Sequence, residues 1–295
     1  MKKTHRLQSL IRFVIIFLIG ILLYSCDNST EKTAEQPINQ EGYQEIKIQE
    51  NIVESFQGII DSNQVAGAIL IYDAQKKAYF SNDFERTEIG FLPASTFKIV
   101  NSMIGLETAV LEDENHLFKW DGDPRRMAIW NKDLTLAEAY KVSCVPCYQE
   151  VARTIGTKRM NEYLKKLDYG NMEIADSMID LFWLEGEFKI SQKQQIDFLK
   201  RFYHKELPLS DKTYATMQKI MVIDKNEEYT LSGKTGWAIR NGNNIGWFIG
   251  FVEKGHDVYY VATNVTPLNQ KETNNFARLR LQIGLEAMQH LSILE

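Results

Sequence analysis

The hydrophobic pattern predicts strands in two separate parts of the chain. A nearly continuous apolar run from Ala66 to Tyr72 and a shorter one from Lys77 to Phe80 flank the polar stretch Asp73-Ala74-Gln75-Lys76. Two such runs around a short polar turn predict a β-hairpin. Three more strands are predicted at residues 228–237, 245–252 and 258–265, separated by Asn-Gly-Asn-Asn and Glu-Lys-Gly-His-Asp turns.

Helical spacing of apolar residues predicts the remaining elements. Residues 48–60 carry Ile48, Ile52, Phe56 and Ile59 at this spacing, and residues 111–200 are mostly helical with no strand pattern. A final helix over residues 273–291 has one apolar stripe, formed by Phe276, Leu279, Ile283, Ala287 and Leu291. The pattern predicts an α/β (α+β) fold: an antiparallel sheet built from both termini, flanked by helices, with an all-helical insertion at about 111–205. We expect the active site in the cleft between sheet and insertion.

The N-terminus indicates export. Basic residues precede an apolar run at residues 13–23, which is followed by Leu23-Tyr24-Ser25-Cys26. This order predicts a secretory signal over residues 1–25, and the cysteine makes it resemble a bacterial lipobox, with Cys26 as the lipidated first residue. An uncleaved anchor helix is the alternative, although the run is shorter than the ~20 residues of a membrane span. Residues 26–45 are polar and predict a flexible tether to a domain over residues 46–295.

We therefore expect a lipoprotein on the periplasmic side of a Gram-negative bacterium, attached to the membrane through its N-terminal lipid. The net charge of −5 offers no basic surface for nucleic acid. Cys144 and Cys147 lack a second Cys/His pair at ligand spacing, so we expect no metal site. We interpret both as small, mostly buried residues, and an oxidising compartment would permit a local disulfide between them.

The first candidate for chemistry is Ser95, in Pro93-Ala94-Ser95-Thr96-Phe97-Lys98. Helical spacing places Ser95 and Lys98 on one face. A serine hydroxyl needs a neighbouring base to become a nucleophile, and burial can make a lysine that base by lowering its pKa from ~10.4. The alternative is a helix N-cap, which serine favours. Ser-x-x-Lys alone is a weak signal, because Ser29-Thr30-Glu31-Lys32 repeats it in a polar stretch.

A second motif, Lys234-Thr235-Gly236-Trp237, lies on a late strand. The glycine lets a substrate backbone approach closely, the threonine offers a hydroxyl, and the lysine supplies positive charge. An ordinary edge strand is the alternative interpretation. Ser-x-x-Lys followed by Lys-Thr-Gly is the pairing found in penicillin-binding proteins and class A β-lactamases.

Three further motifs lie between these two, namely Ser143-Cys144-Val145, Tyr169-Gly170-Asn171 and Phe182-Trp183-Leu184-Glu185-Gly186. In this order, the five motifs resemble the class D serine β-lactamases, or oxacillinases, from about residue 60 to the C-terminus. The resemblance implies hydrolysis of penicillin-type antibiotics through an acyl-enzyme on Ser95, and antibiotic resistance. Class A enzymes have Ser-Asp-Asn where this chain has Ser143-Cys144-Val145.

The resemblance also implies a modified lysine. Lys98 should take up carbon dioxide or bicarbonate and serve, as N6-carboxylysine, as the general base, with the Trp183 indole N–H bonded to the carbamate; no other cofactor is expected. The implied supporting residues are Phe97, Val145, Tyr169, Asn171, Trp183 and Leu184. We interpret Glu185 and Glu187 as solvated loop carboxylates rather than as alternative bases.

The remaining implied roles concern the substrate. Backbone N–H groups of Ser95 and Trp237 form the oxyanion hole, while Ser143 passes a proton to the lactam nitrogen with help from Lys234. The implied substrate-binding residues are Thr235, Gly236, Trp237 and Arg280. The spacing Arg280-Leu281-Gln282-Ile283 fits the family's arginine better than Arg278 does. Two alternatives are a penicillin-binding sensor domain, which shares the motif set, and a cell-wall D,D-peptidase with slow deacylation. Ser143-x-Val145 in place of Ser-x-Asn argues against the peptidase.

Overall fold

A seven-stranded sheet forms the centre of the protein. The computed structural model describes residues 48–171, 173–271 and 273–295, so the predicted signal, the tether and Cys26 lie outside the described residues. The described strands are β1 (Gln49–Ile52), β2 (Val65–Asp73), β3 (Ala78–Ser81), β4 (Leu117–Phe118), β5 (Leu134–Thr135), β6 (Val222–Lys225), β7 (Thr230–Arg240), β8 (Asn243–Lys254) and β9 (Asp257–Pro267). The main sheet has the order β1-β3-β2-β9-β8-β7-β6, and β4 pairs with β5 separately.

The sheet is built from both ends of the described chain, as the hydrophobic pattern predicts. β2 pairs antiparallel with β3 and with β9, and the hairpins β7–β8 and β8–β9 are also antiparallel. Asn241 and Gly242 both have positive φ and form the β7–β8 turn, which matches the right-handed twist of the flanking strands. One pair departs from the prediction, because β1 runs parallel to β3.

The described helices are α1 (Glu54–Ser62), α2 (Phe84–Thr87), α3 (Lys98–Glu107), α4 (Leu136–Lys141), α5 (Val145–Ile155), α6 (Thr157–Leu167), α7 (Gln192–Tyr203), α8 (Asp211–Ile220) and α9 (Phe276–His290). Short 3-10 turns occupy Ala94–Phe97, Ala128–Trp130 and Asp176–Met178. Helices α1 and α9 pack against one sheet face. Helix α7 packs against β9 and β8, and its buried residues belong to the same hydrophobic cluster as those of the insertion. Among the described residues, no helix is both long and apolar enough to cross a membrane.

Residues 48–60 do not form the single helix predicted for them. Residues 49–52 form β1, and α1 begins only at Glu54. Ile48 and Ile52 are 48% and 61% exposed, so they do not belong to the apolar face of α1, whose buried residues are Phe56 and Ile60. Their spacing matched a helix by coincidence.

The insertion is helical, but two short features were not predicted. The pair β4–β5 interrupts it, and β6 forms the far edge of the main sheet. Strands of two residues are too short to show an alternation, and β6 is exposed along its whole length. The stripe of α9 is confirmed more closely, since Phe276, Ile283 and Ala287 are buried in the core.

Candidate active site

Ser95 lies in the 3-10 turn that leads into α3. The backbone of Ala94 has a positive φ of 51°, and the Ala94 N–H donates to the carbonyl of Trp183 at 2.9 Å. The Thr96 hydroxyl closes the turn on the carbonyl of Pro93 at 2.7 Å. Helix α3 begins at Lys98, with Phe97 in the N-cap position. Ser95 is therefore not the N-cap of this helix, and its hydroxyl is available for other partners.

Lys98 is that partner. Its Nζ donates to Ser95 Oγ at 3.2 Å, and its side chain is buried. Burial lowers the pKa of Lys98 to about 7, because an ammonium is poorly solvated away from water. The ring of Tyr148 lies 4.9 Å from Nζ. The arrangement is that of a serine with an adjacent lysine base.

A cluster of aromatic side chains packs behind this pair. Phe97 stacks on Trp183 with ring centroids 5.5 Å apart and meets Phe182 edge-on at 4.7 Å. Tyr169 also packs on Phe97, at 6.1 Å, and its hydroxyl lies 3.2 Å from Gln195 Oε1. Trp183 is fully buried, yet its indole Nε1 has no hydrogen-bond partner among the described residues. A buried N–H donor without a partner is costly, which suggests that it serves a ligand or a modified side chain.

Ser143 and Lys234 form a second serine–lysine pair. Ser143 lies between α4 and α5, and Lys234 Nζ donates to its Oγ at 2.5 Å and to the Thr235 carbonyl at 3.0 Å. The pKa of Lys234 is lowered well below its usual value by burial, and further by the charges of Lys98 and Arg280. A group that binds between these cations is therefore favoured if it carries negative charge.

Strand β7 runs alongside the Ser95 turn. A methyl group on Gly236 would come 2.9 Å from the Pro93 carbonyl oxygen and 3.2 Å from the Thr96 backbone nitrogen. Only glycine allows this close approach. β6 pairs with β7 no further than Ser232, so the Lys234–Trp237 segment has one edge that is not covered by β6.

Arg280 of α9 reaches the same strand. It is 8% exposed, its guanidinium donates to the Gly236 carbonyl and lies 5.5 Å from the Trp237 ring, and burial lowers its pKa to about 10. It stays charged at neutral pH. Arg278 is exposed, so the structure places Arg280 and not Arg278 beside β7.

The sequence of the chain is similar to those of known proteins. Residues 60–279 match the family described as the penicillin binding protein transpeptidase domain. The chain is 42% identical over 199 residues to beta-lactamase OXA-48 of Klebsiella pneumoniae, covering 68% of this chain and 75% of that protein. It is 40% identical over 211 residues to beta-lactamase OXA-10 of Pseudomonas aeruginosa, covering 70% and 79%.

Solved structures of class D β-lactamases have the same fold. The class D β-lactamase YbXI from Nostoc has a TM-score of 0.77 at 40% identity, covering 81% of this chain and 99% of that one. The class D enzyme from Sebaldella termitidis has a TM-score of 0.79 at 38% identity, covering 84% and 100%. The chain belongs to the class D β-lactamases. These enzymes are hydrolases. The comparisons confirm the family that the motifs indicated, and the structure confirms the fold that the hydrophobic pattern predicted.

In this class D β-lactamase, the other implied residues belong to the helices and loops around the serine–lysine pairs. Asn171 Oδ1 accepts the backbone N–H of Lys189 at 2.7 Å and braces a loop. Val145 begins α5, and Leu184 is half-buried beside Trp183. Glu185 and Glu187 are exposed, and Glu187 pairs with Arg240.

Three contacts of this class D β-lactamase were not predicted. Tyr148 faces Lys98, Tyr140 donates to the Gly233 carbonyl at 3.2 Å, and Gln195 donates to Thr96 Oγ1 at 3.1 Å. Tyr148 lies one turn beyond Val145 on α5, a spacing that could have indicated it. Cys144 and Cys147 form a disulfide.

Proposed function

We propose that this class D β-lactamase hydrolyses the β-lactam ring of penicillin-type antibiotics through an acyl-enzyme on Ser95. The observation that carries the proposal is the contact of Ser95 Oγ with Lys98 Nζ, whose pKa burial lowers to about 7. A lysine with this pKa is partly neutral at physiological pH, and this neutral form is the one that would carry the general base for the serine proton.

In acylation, Ser95 Oγ bonds to the lactam carbonyl carbon. Backbone N–H groups of Ser95 and Trp237 stabilise the oxyanion, and one such donor contributes ~3 kcal/mol. The C–N bond then breaks, and Ser143 donates its proton to the departing nitrogen. Lys234 Nζ lies 2.5 Å from Ser143 Oγ and holds that hydroxyl in place. Its positive charge stabilises the negative charge that develops on Oγ as the proton leaves.

The substrate carboxylate is bound by the cationic side of the cleft. Lys234 and Arg280 are buried there, and Thr235 offers its hydroxyl. A guanidinium can form two parallel hydrogen bonds to a carboxylate. Because Arg280 also holds the carbonyl of Gly236, it links substrate binding to the position of β7.

The surroundings of Lys98 fit N-carboxylation by carbon dioxide. The neutral amine needed for this reaction is favoured by burial, and the unpartnered Trp183 Nε1 is a donor suited to a carboxylate oxygen. Lys98 would hold the group through Nζ. When bound, the group supplies a general base for both half-reactions.

The hydrolase is distinguished from a penicillin-binding sensor domain or a slow D,D-peptidase by turnover. Purified protein mixed with a chromogenic cephalosporin should hydrolyse many equivalents, and Ser95→Ala should hydrolyse none. A single stoichiometric burst would contradict hydrolysis. Expression in a susceptible Gram-negative host should raise the inhibitory concentration of a penicillin, and Ser95→Ala should not.

Carboxylation is tested with labelled bicarbonate. Protein dialysed at low pH should lose activity, and added ¹³C-bicarbonate should restore it together with a carbamate carbon signal in the NMR spectrum. Trp183→Phe keeps the ring on Phe97 but removes the N–H, so it should need at least tenfold more bicarbonate for half-maximal signal. An unchanged requirement, or full activity without a carbamate signal, would rule the modification out.

The predicted export signal supports a periplasmic, membrane-attached enzyme. Lipidation of Cys26 would hold the domain on a tether at the membrane. The mature protein should then begin at Cys26 and incorporate labelled palmitate; an unlabelled membrane protein that keeps residues 1–25 would favour the uncleaved anchor helix instead.

A further inference from the structure

A disulfide closes the first turn of α5, next to the second serine of the site. Cys144 is the N-cap of α5, and its Sγ accepts the Cys147 N–H at 3.3 Å. The two cysteines are 1% and 9% exposed. The proposed reaction uses neither of them, so the position of the disulfide needs an explanation of its own.

Ser143 directly precedes this turn and has an unfavourable backbone conformation. Its φ is +52°, in the left-handed region that side chains other than glycine disfavour. It is the left-handed residue that ends α4, where the Ser143 N–H donates to Tyr140 O at 3.2 Å and the Cys144 N–H to Ala139 O at 2.8 Å. Both flanking helices must stay in place for this conformation to persist.

The other end of the closed turn reaches Lys98. Tyr148 follows Cys147, and its ring lies 4.9 Å from Lys98 Nζ. α3 holds Tyr148 in return, since its hydroxyl is 2.7 Å from Ser102 Oγ and its carbonyl accepts Asn101 Nδ2 at 3.1 Å. The disulfide-closed turn therefore connects the Ser143 side of the site to the Lys98 side.

We propose that the Cys144–Cys147 disulfide is a positioning element that holds Ser143 against Lys234, and that reducing it slows acylation. The proposal rests on the proposed function, in which Ser143 delivers the proton to the leaving nitrogen. A side chain held within a fraction of an ångström transfers a proton far better than a mobile one. A loop this short constrains the unfolded chain less than a long loop does, so positioning and stability can be separated by experiment.

Reduction is a balanced thiol–disulfide exchange with a dithiol. A thiolate of dithiothreitol attacks Sγ of Cys147, the more exposed of the two residues. Cys144 then leaves as a thiolate at the N-terminus of α5, where the helix favours negative charge. The second thiol of the reagent then attacks the mixed disulfide and releases Cys147. The reagent becomes a cyclic disulfide, and its two electrons and two protons end on the cysteines.

The experiment compares oxidised and reduced full-length protein. Labelling with iodoacetamide and peptide mass mapping establish the state of Cys144 and Cys147, and single-turnover kinetics separate acylation from deacylation. We expect reduction to slow acylation at least tenfold, to change deacylation less than twofold and to be reversed by reoxidation. The variant Cys144→Ser/Cys147→Ala keeps an N-cap oxygen but cannot form the disulfide. It should be acylated as slowly as the reduced protein, and dithiothreitol should not change its acylation rate.

Three results would overturn the inference: unchanged acylation with both thiols labelled, an equal loss of acylation and deacylation with a large fall in melting temperature, or a dithiothreitol effect that persists in the double variant. Protein that acylates once without turnover would contradict the proposed hydrolysis and leave the comparison of acylation rates intact. Oxidised protein that is never acylated would overturn both.

Discussion

Lys98 and Lys234 are both buried, and the charge of Lys98 lowers the pKa of Lys234. The proposed chemistry requires opposite protonation states of the two lysines, since Lys98 must lose its proton while Lys234 must stay cationic. Carboxylation of Lys98 would resolve this conflict, because it replaces a cation with an anion and reverses the sign of its effect on Lys234. The two serine–lysine pairs are therefore electrostatically dependent on one another.

Lys98→Met should stabilise the protein in carbon dioxide-free buffer at pH 6, while abolishing hydrolysis. The folded pKa of Lys98 is about 7, below its value of ~10.4 in an unfolded chain. Between these values the unfolded chain holds a proton that the folded one has lost, so the unfolding free energy of the parent rises with pH. The unfolding free energy of the variant should exceed that of the parent by about 4 kcal/mol at pH 6 and by less at pH 10.

Urea unfolding at both pH values measures this difference. Lys165→Met, at an exposed position of α6, is the matched control and should change stability by less than ~0.5 kcal/mol. A Lys98→Met variant less stable than the parent at pH 6 would show that Lys98 is not strained by burial.

Gly236→Ala should slow acylation of Ser95 by about 100-fold without unfolding the protein. The added methyl would meet the Pro93 carbonyl at 2.9 Å, and the turn that carries Ser95 must move to relieve the contact. Displacements of about 1 Å can cost ~100-fold in rate. Pre-steady-state acylation measures the effect.

Gly58→Ala is the control for this substitution. Gly58 is exposed within α1, and a methyl there meets nothing within 4 Å. It should leave acylation unchanged and stabilise the helix by up to ~1 kcal/mol. Equal acylation by Gly236→Ala and the parent would show that the turn tolerates a side chain on β7.

Elements that bury most of their apolar residues were predictable from the sequence, including the four-residue β3. The exposed strands β1 and β6 and the two-residue strands β4 and β5 were not. β2, β8, β9 and α9 follow their patterns because each buries several apolar residues. β1 was missed because Ile48 and Ile52, which suggested a helix, are exposed. The limits of a strand depend on its neighbours in the sheet, which the sequence alone does not specify.

The same holds for the site. The motif order indicated the serines and lysines, because five short motifs in one order are far more specific than any one of them. The unpartnered Trp183 N–H and the Tyr148 ring at Lys98 depend on side-chain packing across α3, α5 and the following loop. Helical spacing could place Tyr148 on the same face of α5 as Val145, and the motifs could name Trp183, but the sequence did not show what either side chain contacts.

Arg280→Lys should weaken binding of substrates that carry a carboxylate. Lysine keeps the positive charge but cannot form the paired hydrogen bonds of a guanidinium. KM for a penicillin should rise at least tenfold, with a smaller change in kcat. For the methyl ester of the same penicillin, the variant and the parent should have the same KM.

Arg278→Lys, at an exposed position two residues away, should behave like the parent with both substrates. If Arg280→Lys raised KM for the ester as much as for the free acid, the arginine would act through its hydrogen bond to the Gly236 carbonyl and not through a contact with the substrate.

Trp130→Phe should slow acylation severalfold and leave deacylation nearly unchanged. The indole Nε1 of Trp130 donates at 3.1 Å to the carbonyl of Val142, the residue before Ser143, so it steadies the left-handed conformation of Ser143 from the α4 side. Loss of one such bond costs only about 1 kcal/mol of stability.

Trp120→Phe is the control, because Trp120 lies in the same loop and its indole donates at 2.8 Å to Asp123, away from the site. Single-turnover kinetics should slow for Trp130→Phe alone; equal slowing of both variants would assign the effect to the loop as a whole.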